Sequence, residues 1–249
     1  MNFSLLRLGL AALLCLTGAA HADEIKVAVA ANFAAPMQRI AARFEQDSGH
    51  KLLVSVGSTG KFYAQIVNGA PFDILLAADH ETPSRLAREG LGRQESQFTY
   101  AIGKLVLWSP KSAMVDPQAQ VLRQGRFDKL ALADPRLAPY GAAAIQTLTR
   151  LGLLESLRPS LVTAENIGQA YQFVASGNAS LGFVAFSQII KDGKPAGSWW
   201  EVPADLYDPI RQDAIILKPG LAKPAVAQFA QYLRSEAARS TIRAFGYSF

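Results

Sequence analysis

The turn Gly57-Ser58-Thr59-Gly60-Lys61 carries residue types that could hold an anion. It looks like part of a nucleotide-binding P-loop, which has four residues between its first glycine and the Gly-Lys pair and then a Ser or Thr for magnesium. Here only two residues separate the glycines, and Phe62 stands where that hydroxyl should be. The nucleotide interpretation therefore fails. What remains is a strand, a small polar turn and a helix, and the free N–H groups at a helix start bind anions of many kinds.

Four segments share this design, in which a strand-like run ends, small or polar residues follow and a helical pattern begins. Each combines a neutral hydrogen-bond donor with glycine or alanine, which lets the backbone approach a ligand closely. Because ligands of open α/β sheets bind beyond the carboxyl ends of the strands, these turns are candidates for one site. Taken singly, each of these turns is better explained as an ordinary helix cap. They are Ala31-Asn32-Phe33, Gly57-Ser58-Thr59-Gly60, Pro139-Tyr140-Gly141-Ala142 and Glu165-Asn166-Ile167-Gly168.

Candidate catalytic residues are scarce. Outside the N-terminal segment the histidines are His50 and His80, and neither has a second ligand at metal-binding spacing. No G-x-S-x-G motif is present, so a Ser–His–Asp triad would have to use one of these two histidines. A surface or loop role is favoured for both. A secreted hydrolase that uses His50 or His80 stays open as an alternative.

The elements that would position the four turns alternate along the chain. Apolar strand-like runs such as residues 25–32 and 51–56 are followed by amphipathic helical patterns that end at Gly49 and Gly69. This alternation indicates a parallel sheet covered on both faces. The β-rich run 98–110 and a second crossing near residues 207–213 would carry the chain between two lobes. We therefore predict an α/β fold of two lobes joined by two crossover strands, with lobe 1 at residues 23–103 and 213–249 and lobe 2 at 104–212.

The N-terminal segment predicts export. Arg7, the apolar run 8–16 and an A-x-A motif at 20–22 form a Sec-type signal peptide over residues 1–22, with Asp23 as the first mature residue. The apolar run is shorter than the roughly 20 residues of a membrane span. The single cysteine, Cys15, lies inside this segment. The expectation is a periplasmic protein without a disulfide and without direct membrane insertion.

The amount and distribution of charge argue against nucleic acid as a partner. The chain of 249 residues has 25 Lys and Arg against 20 Asp and Glu, a net charge of +5. The basic residues are scattered, without a basic run or interleaved aromatic side chains, so the footprint of nucleic-acid binding is absent from the sequence.

Beyond these patterns, the mature sequence contains "VAVAANFAAPMQ", "GSTGKFYAQIVNGAPFD", "FTYAIGKLVLWSP", "LAPYGAAA" and "ENIGQAYQFVASGNASLGFVAF", in this order. On these motifs it resembles the periplasmic molybdate-binding proteins of bacterial ABC importers, and the resemblance covers essentially the whole mature chain. It implies the type II periplasmic-binding-protein fold, with an oxyanion buried in the cleft between two lobes. It also implies a monomer without a cofactor that captures molybdate or tungstate and delivers it to a membrane permease, with no catalysis.

The resemblance carries the family's binding positions onto named residues. The ligand contacts become Asn32, Thr59 and Tyr140 and the backbone N–H of Ile167, and secondary contacts are assigned to Ala31, Ser58 and Gly141. Molybdenum is expected only as the bound oxyanion, not as a separate metal centre.

Two departures from the family pattern bear on the site. The tyrosine that one branch of the family has after Gly182-Phe183-Val184 is Ala185 here, so Tyr140 is expected to supply that contact from the other side. Ala31 also stands where some relatives have threonine, which reduces that position to its backbone. Lys61 is expected to point away from the ligand into solvent.

Three alternatives remain beside this interpretation. They are a receptor for sulfate, another oxyanion or a metal chelate on the same fold; the hydrolase named above; and a sensing module that docks to a receptor.

Overall fold

The computed structural model describes residues 22–249. The predicted signal peptide therefore lies outside the described residues except for Ala22. The strands are β1 Glu24–Ala30, β2 Lys51–Gly57, β3 Ile74–Leu76, β4 Phe98–Gly103, β5 Leu105–Ser109, β6 Leu130–Ala133, β7 Leu161–Ala164, β8 Leu181–Ala185, β9 Ile190–Lys191, β10 Lys194–Pro195, β11 Ser198–Glu201 and β12 Ile210–Ile216. The helices are α1 Ala34–Ser48, α2 Thr59–Val67, α3 Glu81–Arg88, α4 Gln120–Gln124, α5 Pro139–Arg150, α6 Leu154–Leu157, α7 Ile167–Ala175, α8 Phe186–Ile189, α9 Pro224–Tyr232 and α10 Glu236–Ala244.

Two five-stranded sheets form the centres of two lobes. The first has the order β2-β1-β3-β12-β4 and the second β11-β5-β8-β6-β7. The chain passes from the first sheet to the second between β4 and β5 and returns at β12. This confirms the predicted fold class of two α/β lobes joined by two crossover strands.

The expectation of purely parallel sheets is wrong, since both sheets are mixed. In the first sheet β12 runs antiparallel to β3 and β4, and in the second β5 runs antiparallel to β8 and β11. The cause is the crossing itself. β1, β2, β6 and β7 end at the cleft, whereas β5 and β12 enter their sheets from the cleft and so point away from it.

Local sequence explains the helices that cover the sheets. In α1 the buried residues Met37, Ile40 and Phe44 recur at intervals of three and four and pack on the first sheet. The helix ends where Gly49 adopts a left-handed conformation with φ 76°, which glycine accepts without steric cost. No helix within residues 22–249 is long and apolar enough to cross a membrane.

Strand register aligns the turns that matter for function. Ala30 at the end of β1 is level with Gly57 at the end of β2, and Ala133 at the end of β6 is level with Ala164 at the end of β7. Each lobe therefore presents two strand ends side by side toward the cleft.

Candidate functional site

Four turns from the two lobes meet around one small cavity. Two follow β1 and β2 in the first lobe and two follow β6 and β7 in the second, and each leads into a helix. The first does so through a short 3-10 turn, Ala31–Phe33. All four sequence-predicted segments are therefore brought together. The described residues that line the cavity are Ala30, Ala31, Asn32, Gly57, Ser58, Thr59, Ala78, Ala138, Pro139, Tyr140, Asn166 and Ile167.

The cavity is narrow and uncharged. It offers about 10 Å³ for the centre of a water-sized sphere, against about 480 Å³ in the wider pocket beside it. None of the described residues that line it is charged. The starts of α2, α5 and α7 face it, and the first N–H groups of a helix have no partner within the helix. The site therefore offers neutral hydrogen-bond donors and partial positive charge without a cation.

Three hydroxyl groups of the cavity can still donate. Ser58 is only 3% exposed, and its Oγ has no hydrogen-bond partner among the described residues. Thr59 Oγ1 accepts from the Ala78 N–H at 3.0 Å, which leaves its own proton free. Tyr140 Oη accepts from Gln212 Nε2 at 3.2 Å, which likewise leaves the phenol proton free.

Ionisation does not remove the phenol donor. Burial, with smaller contributions from Tyr247 and Tyr100, raises the pKa of Tyr140 well above its ordinary value. The phenol is therefore protonated at neutral pH.

The side chain of Asn32 is used within the protein. Its Nδ2 donates to Gln212 Oε1 at 2.8 Å and to Tyr247 Oη at 3.0 Å, so both amide hydrogens are engaged. Its Oδ1 is buried without a partner. In this arrangement the donor that Asn32 can offer a bound anion is its backbone N–H, not the amide that the sequence suggested.

The two predicted secondary contacts Ala31 and Gly141 differ in their position relative to the cavity. Ala31 lines the cavity with a methyl group, as its residue type implies. Gly141 does not line it, because its N–H is donated to Ala138 O at 2.9 Å and its Cα faces β6. A Cβ on Gly141 would lie 2.2 Å from Ala133 O, so this glycine serves the packing of α5 against the strand.

Sequence reasoning missed the residues behind the cavity. Gln212 on β12, Tyr100 on β4 and Tyr247 near the C-terminus form a buried network with Asn32 and Tyr140. One signal was available: the polar residues Gln212 and Asp213 stand together in the middle of the strand-like run IRQDAII at residues 210–216.

Lys61 does not line the cavity, but neither does it extend freely into solvent. Its ammonium lies 2.7 Å from Glu165 Oε1 in the second lobe, and the two side chains are 43% and 48% exposed. The expectation of a solvent-directed lysine is corrected to an ion pair across the cleft.

A wider pocket of about 480 Å³ adjoins the cavity and shares Ala78, Ala138 and Pro139 with it. It opens to solvent, and its lining carries both charge signs, for example Arg136 and Asp208. It lacks the enclosure and the uniform donor character of the small cavity.

The two histidines lie away from the cavity lining. His50 Nδ1 accepts from the Asp23 N–H at 3.2 Å, a local surface contact. His80 Nδ1 lies 2.6 Å from Asp213 Oδ2 and its Nε2 lies 3.4 Å from Ser84 Oγ, which has the outline of a triad. However, the Ser84 hydroxyl donates to the His80 carbonyl at 2.9 Å within α3. Within residues 22–249 no group of three His, Cys, Asp or Glu side chains could hold a metal ion.

Two lobes that close on an uncharged donor cavity define a solute-binding protein. The family model described as "Bacterial extracellular solute-binding protein" matches residues 25–248, and the chain belongs to this family. It is a transport family, so the protein is a binding protein and not an enzyme.

Individual relatives and one solved structure give a more specific comparison than the family model. The chain is 54% identical to the molybdate-binding protein ModA of Azotobacter vinelandii over 99% of both chains. It is 47% identical to that of Rhodobacter capsulatus over 97% of this chain and 96% of the relative. The solved structure of the Azotobacter vinelandii periplasmic molybdate-binding protein matches with a TM-score of 0.88 and 43% identity, covering 90% of this chain and 99% of the other.

Proposed function

We propose that this protein captures molybdate or tungstate in the cavity between its lobes and delivers it to the membrane permease of an ABC importer. One observation carries the proposal. Four strand-end turns, two from each lobe, surround an enclosed cavity whose side chains offer donors and no charge. The relatives that are named for molybdate binding support the same ligand.

The chemistry of the donors suits a fully deprotonated tetrahedral oxyanion, which only accepts hydrogen bonds. Protonated phosphate brings a hydrogen of its own, and leaving that group unpaired in the cavity would cost about 1–3 kcal/mol. Helix starts distribute compensating positive charge without Lys or Arg, which would bind anions less selectively.

Sulfate must be rejected by size, because it is also a bare dianion. Its shorter bonds would stretch several hydrogen bonds at once if the donors cannot move inward. Contacts between the lobes limit that movement. The Gly60 N–H donates to Leu137 O at 2.9 Å, and Ser187 Oγ donates to Asn32 O at 2.9 Å.

The proposed ligand contacts are Thr59, Tyr140, Ser58 and the backbone N–H groups of Asn32 and Ile167, with Ala31 as an apolar neighbour. The remaining parts of the proposal are a periplasmic location after cleavage before Asp23, a monomeric state, and lobe boundaries at residues 23–103 with 213–249 and at 104–212. The mechanism is hinge closure of the lobes around the anion, with no bond made or broken.

Isothermal titration of the purified, ligand-free protein tests this function. We expect one site that binds molybdate and tungstate tightly and does not respond to sulfate or phosphate. A Thr59→Ala variant should bind molybdate more weakly, because it loses one cavity donor. Tight sulfate binding, or no binding of any oxyanion, would overturn the proposed ligand while leaving the fold assignment intact.

A further inference from the structure

Gln212 is a fully buried amide at the centre of the structure, with an exposed fraction of 0%. It lies on the returning crossover strand β12 and contacts three residues that are distant in sequence. These are Asn32 after β1, Tyr100 on β4 and Tyr140 at the start of α5 in the second lobe. Gln212 therefore connects the two lobes and contacts a phenol that faces the ligand position, which indicates a role beyond packing.

In this network the direction of each hydrogen bond determines the direction of the next. Tyr247 Oη donates its only proton to Asn32 O at 2.8 Å or to Ser187 Oγ at 3.0 Å, and in either case it accepts from Asn32 Nδ2 at 3.0 Å. The second Nδ2 hydrogen goes to Gln212 Oε1 at 2.8 Å, and the single proton of Tyr100 Oη lies between that oxygen and Ala77 O, each at 3.0 Å. With its oxygen held by Asn32 Nδ2, Gln212 directs Nε2 toward Tyr140.

Tyr140 must therefore accept the hydrogen bond from Gln212. Gln212 Nε2 donates to Tyr140 Oη at 3.2 Å, so the phenol proton cannot be shared with Gln212. Tyr247 is the neighbouring phenol that could accept this proton, but its oxygen already accepts from Asn32 Nδ2, and Tyr140 lines the cavity. The phenol proton therefore points toward the position of the ligand.

The backbone of β4 packs closely against this pair of polar groups. A Cβ on Gly103, the last residue of β4, would lie 2.1 Å from Tyr140 Oη and 2.6 Å from Gln212 Nε2. The backbone at this position thus approaches both polar groups closely.

We propose that Gln212 is a positioning residue that makes the Tyr140 hydroxyl an obligatory donor to the bound anion and so contributes to discrimination against protonated oxyanions. The inference rests on the proposed oxyanion function and deepens it. A phenol that could both donate and accept would tolerate a ligand hydroxyl, whereas a phenol whose acceptor position is already filled by Gln212 does not.

A double-mutant cycle tests the role of Gln212. The variants are Gln212→Met, Tyr140→Phe and the double variant, and Gln212→Met removes the amide without adding charge. The fold of each variant is checked by circular dichroism, and each is then titrated with molybdate. We expect about a tenfold loss of affinity for each single variant, and a double variant close to Tyr140→Phe alone, because both changes remove the same directed donor. Fully additive losses would mean that Gln212 supports the fold only and would overturn the proposal.

The Gln212→Glu variant supplies a second readout that a general structural effect would not move. A carboxylate at this position accepts the Tyr140 proton, so the phenol turns its lone pair toward the ligand. We expect the ratio of molybdate to phosphate affinity to fall by at least about tenfold. An unchanged ratio would contradict the proposal even if Gln212→Met failed to fold.

The proposed function and this inference fail in different ways. If the unaltered protein binds no oxyanion, both fall. If it binds molybdate selectively but the cycle is additive and the ratio is constant, only the role of Gln212 falls.

Discussion

The buried hydroxyl of Ser58 illustrates what single residues contribute to the site. A buried polar group without a partner typically costs about 1–3 kcal/mol of folding free energy. Of the three such atoms recorded among the described residues, Ser58 Oγ and Asn32 Oδ1 belong to residues that line the cavity. The third, Asp73 Oδ1, belongs to a carboxylate whose other oxygen is paired with Lys223. An unpaired hydroxyl donor at a cavity, as at Ser58, is the expected mark of an anion-binding site at the residue scale, whereas Asn32 Oδ1 is an acceptor that an oxyanion cannot use.

We expect the Ser58→Ala variant to separate binding from stability. Affinity for molybdate should fall about tenfold through the loss of one donor. The free energy of unfolding of the ligand-free protein should stay the same or rise, since an unsatisfied group is removed. Titration calorimetry and urea unfolding measure the two quantities.

Ser109→Ala is the matched control for Ser58→Ala. Ser109 is equally buried, but its Oγ donates to Ser180 O at 2.8 Å in the second lobe, and it does not line the cavity. This variant should lose about 1–2 kcal/mol of unfolding free energy and keep its molybdate affinity. Equal losses of stability in both variants would show that the Ser58 hydroxyl has a structural partner after all.

At the scale of elements, the approach of α2 to the second lobe determines how tightly the cleft can close. The Gly60 N–H reaches Leu137 O at 2.9 Å, so backbone meets backbone across the cleft. A Cβ at this position would lie 3.0 Å from Leu137 Cα and 3.1 Å from Leu137 O. These are main-chain atoms that cannot rotate away, so an added Cβ would require the two backbones to separate by a few tenths of an ångström.

We therefore expect the Gly60→Ala variant to hold the lobes apart and to weaken molybdate binding by about tenfold or more. This loss corresponds to a strain of about 1–3 kcal/mol in the closed state. The melting temperature of the ligand-free protein should not fall, because alanine is favoured over glycine inside a helix by about 1 kcal/mol. Gln65→Ala, on the exposed side of α2, is the control and should change neither quantity. An unchanged affinity in Gly60→Ala would show that closure does not depend on this contact.

For the whole molecule, the two lobes are held by crossover strands and by a few contacts across the cleft, of which the Lys61–Glu165 pair is the charged one described above. Half-exposed ion pairs contribute only about 0–1 kcal/mol and weaken with salt. The pair therefore assists closure and does not hold the anion.

Replacing Lys61 by methionine should consequently reduce molybdate affinity less than about fivefold and make the affinity less sensitive to salt. Lys104→Met, which breaks a pair with Glu201 of similar exposure (39% and 42%), is the control and should leave affinity and its salt dependence unchanged. Titrations at low and high salt measure both. A loss above about fiftyfold in Lys61→Met would indicate that the ammonium compensates the charge of the ligand, against the proposed uncharged site.

The sequence by itself determined the parts that depend on short stretches of chain. The apolar runs, the helical periodicity of α1 and its end at Gly49 are local, and so is the design of the four turns, because strand ends, caps and glycine conformations are governed by neighbouring residues. The resemblance to a family supplied the arrangement of these pieces and the class of ligand.

Only the tertiary structure decided what depends on contacts between distant residues. The antiparallel course of β12, the use of the Asn32 amide within the protein, the Lys61–Glu165 pair and the Gln212 network could not be predicted from local patterns. Tyr247 meets Asn32 across 215 residues and Gln212 meets Tyr140 across 72. Which partner such a buried polar group finds depends on how the crossover strands bring the lobes together, and therefore only the folded molecule determines which donors face the cavity.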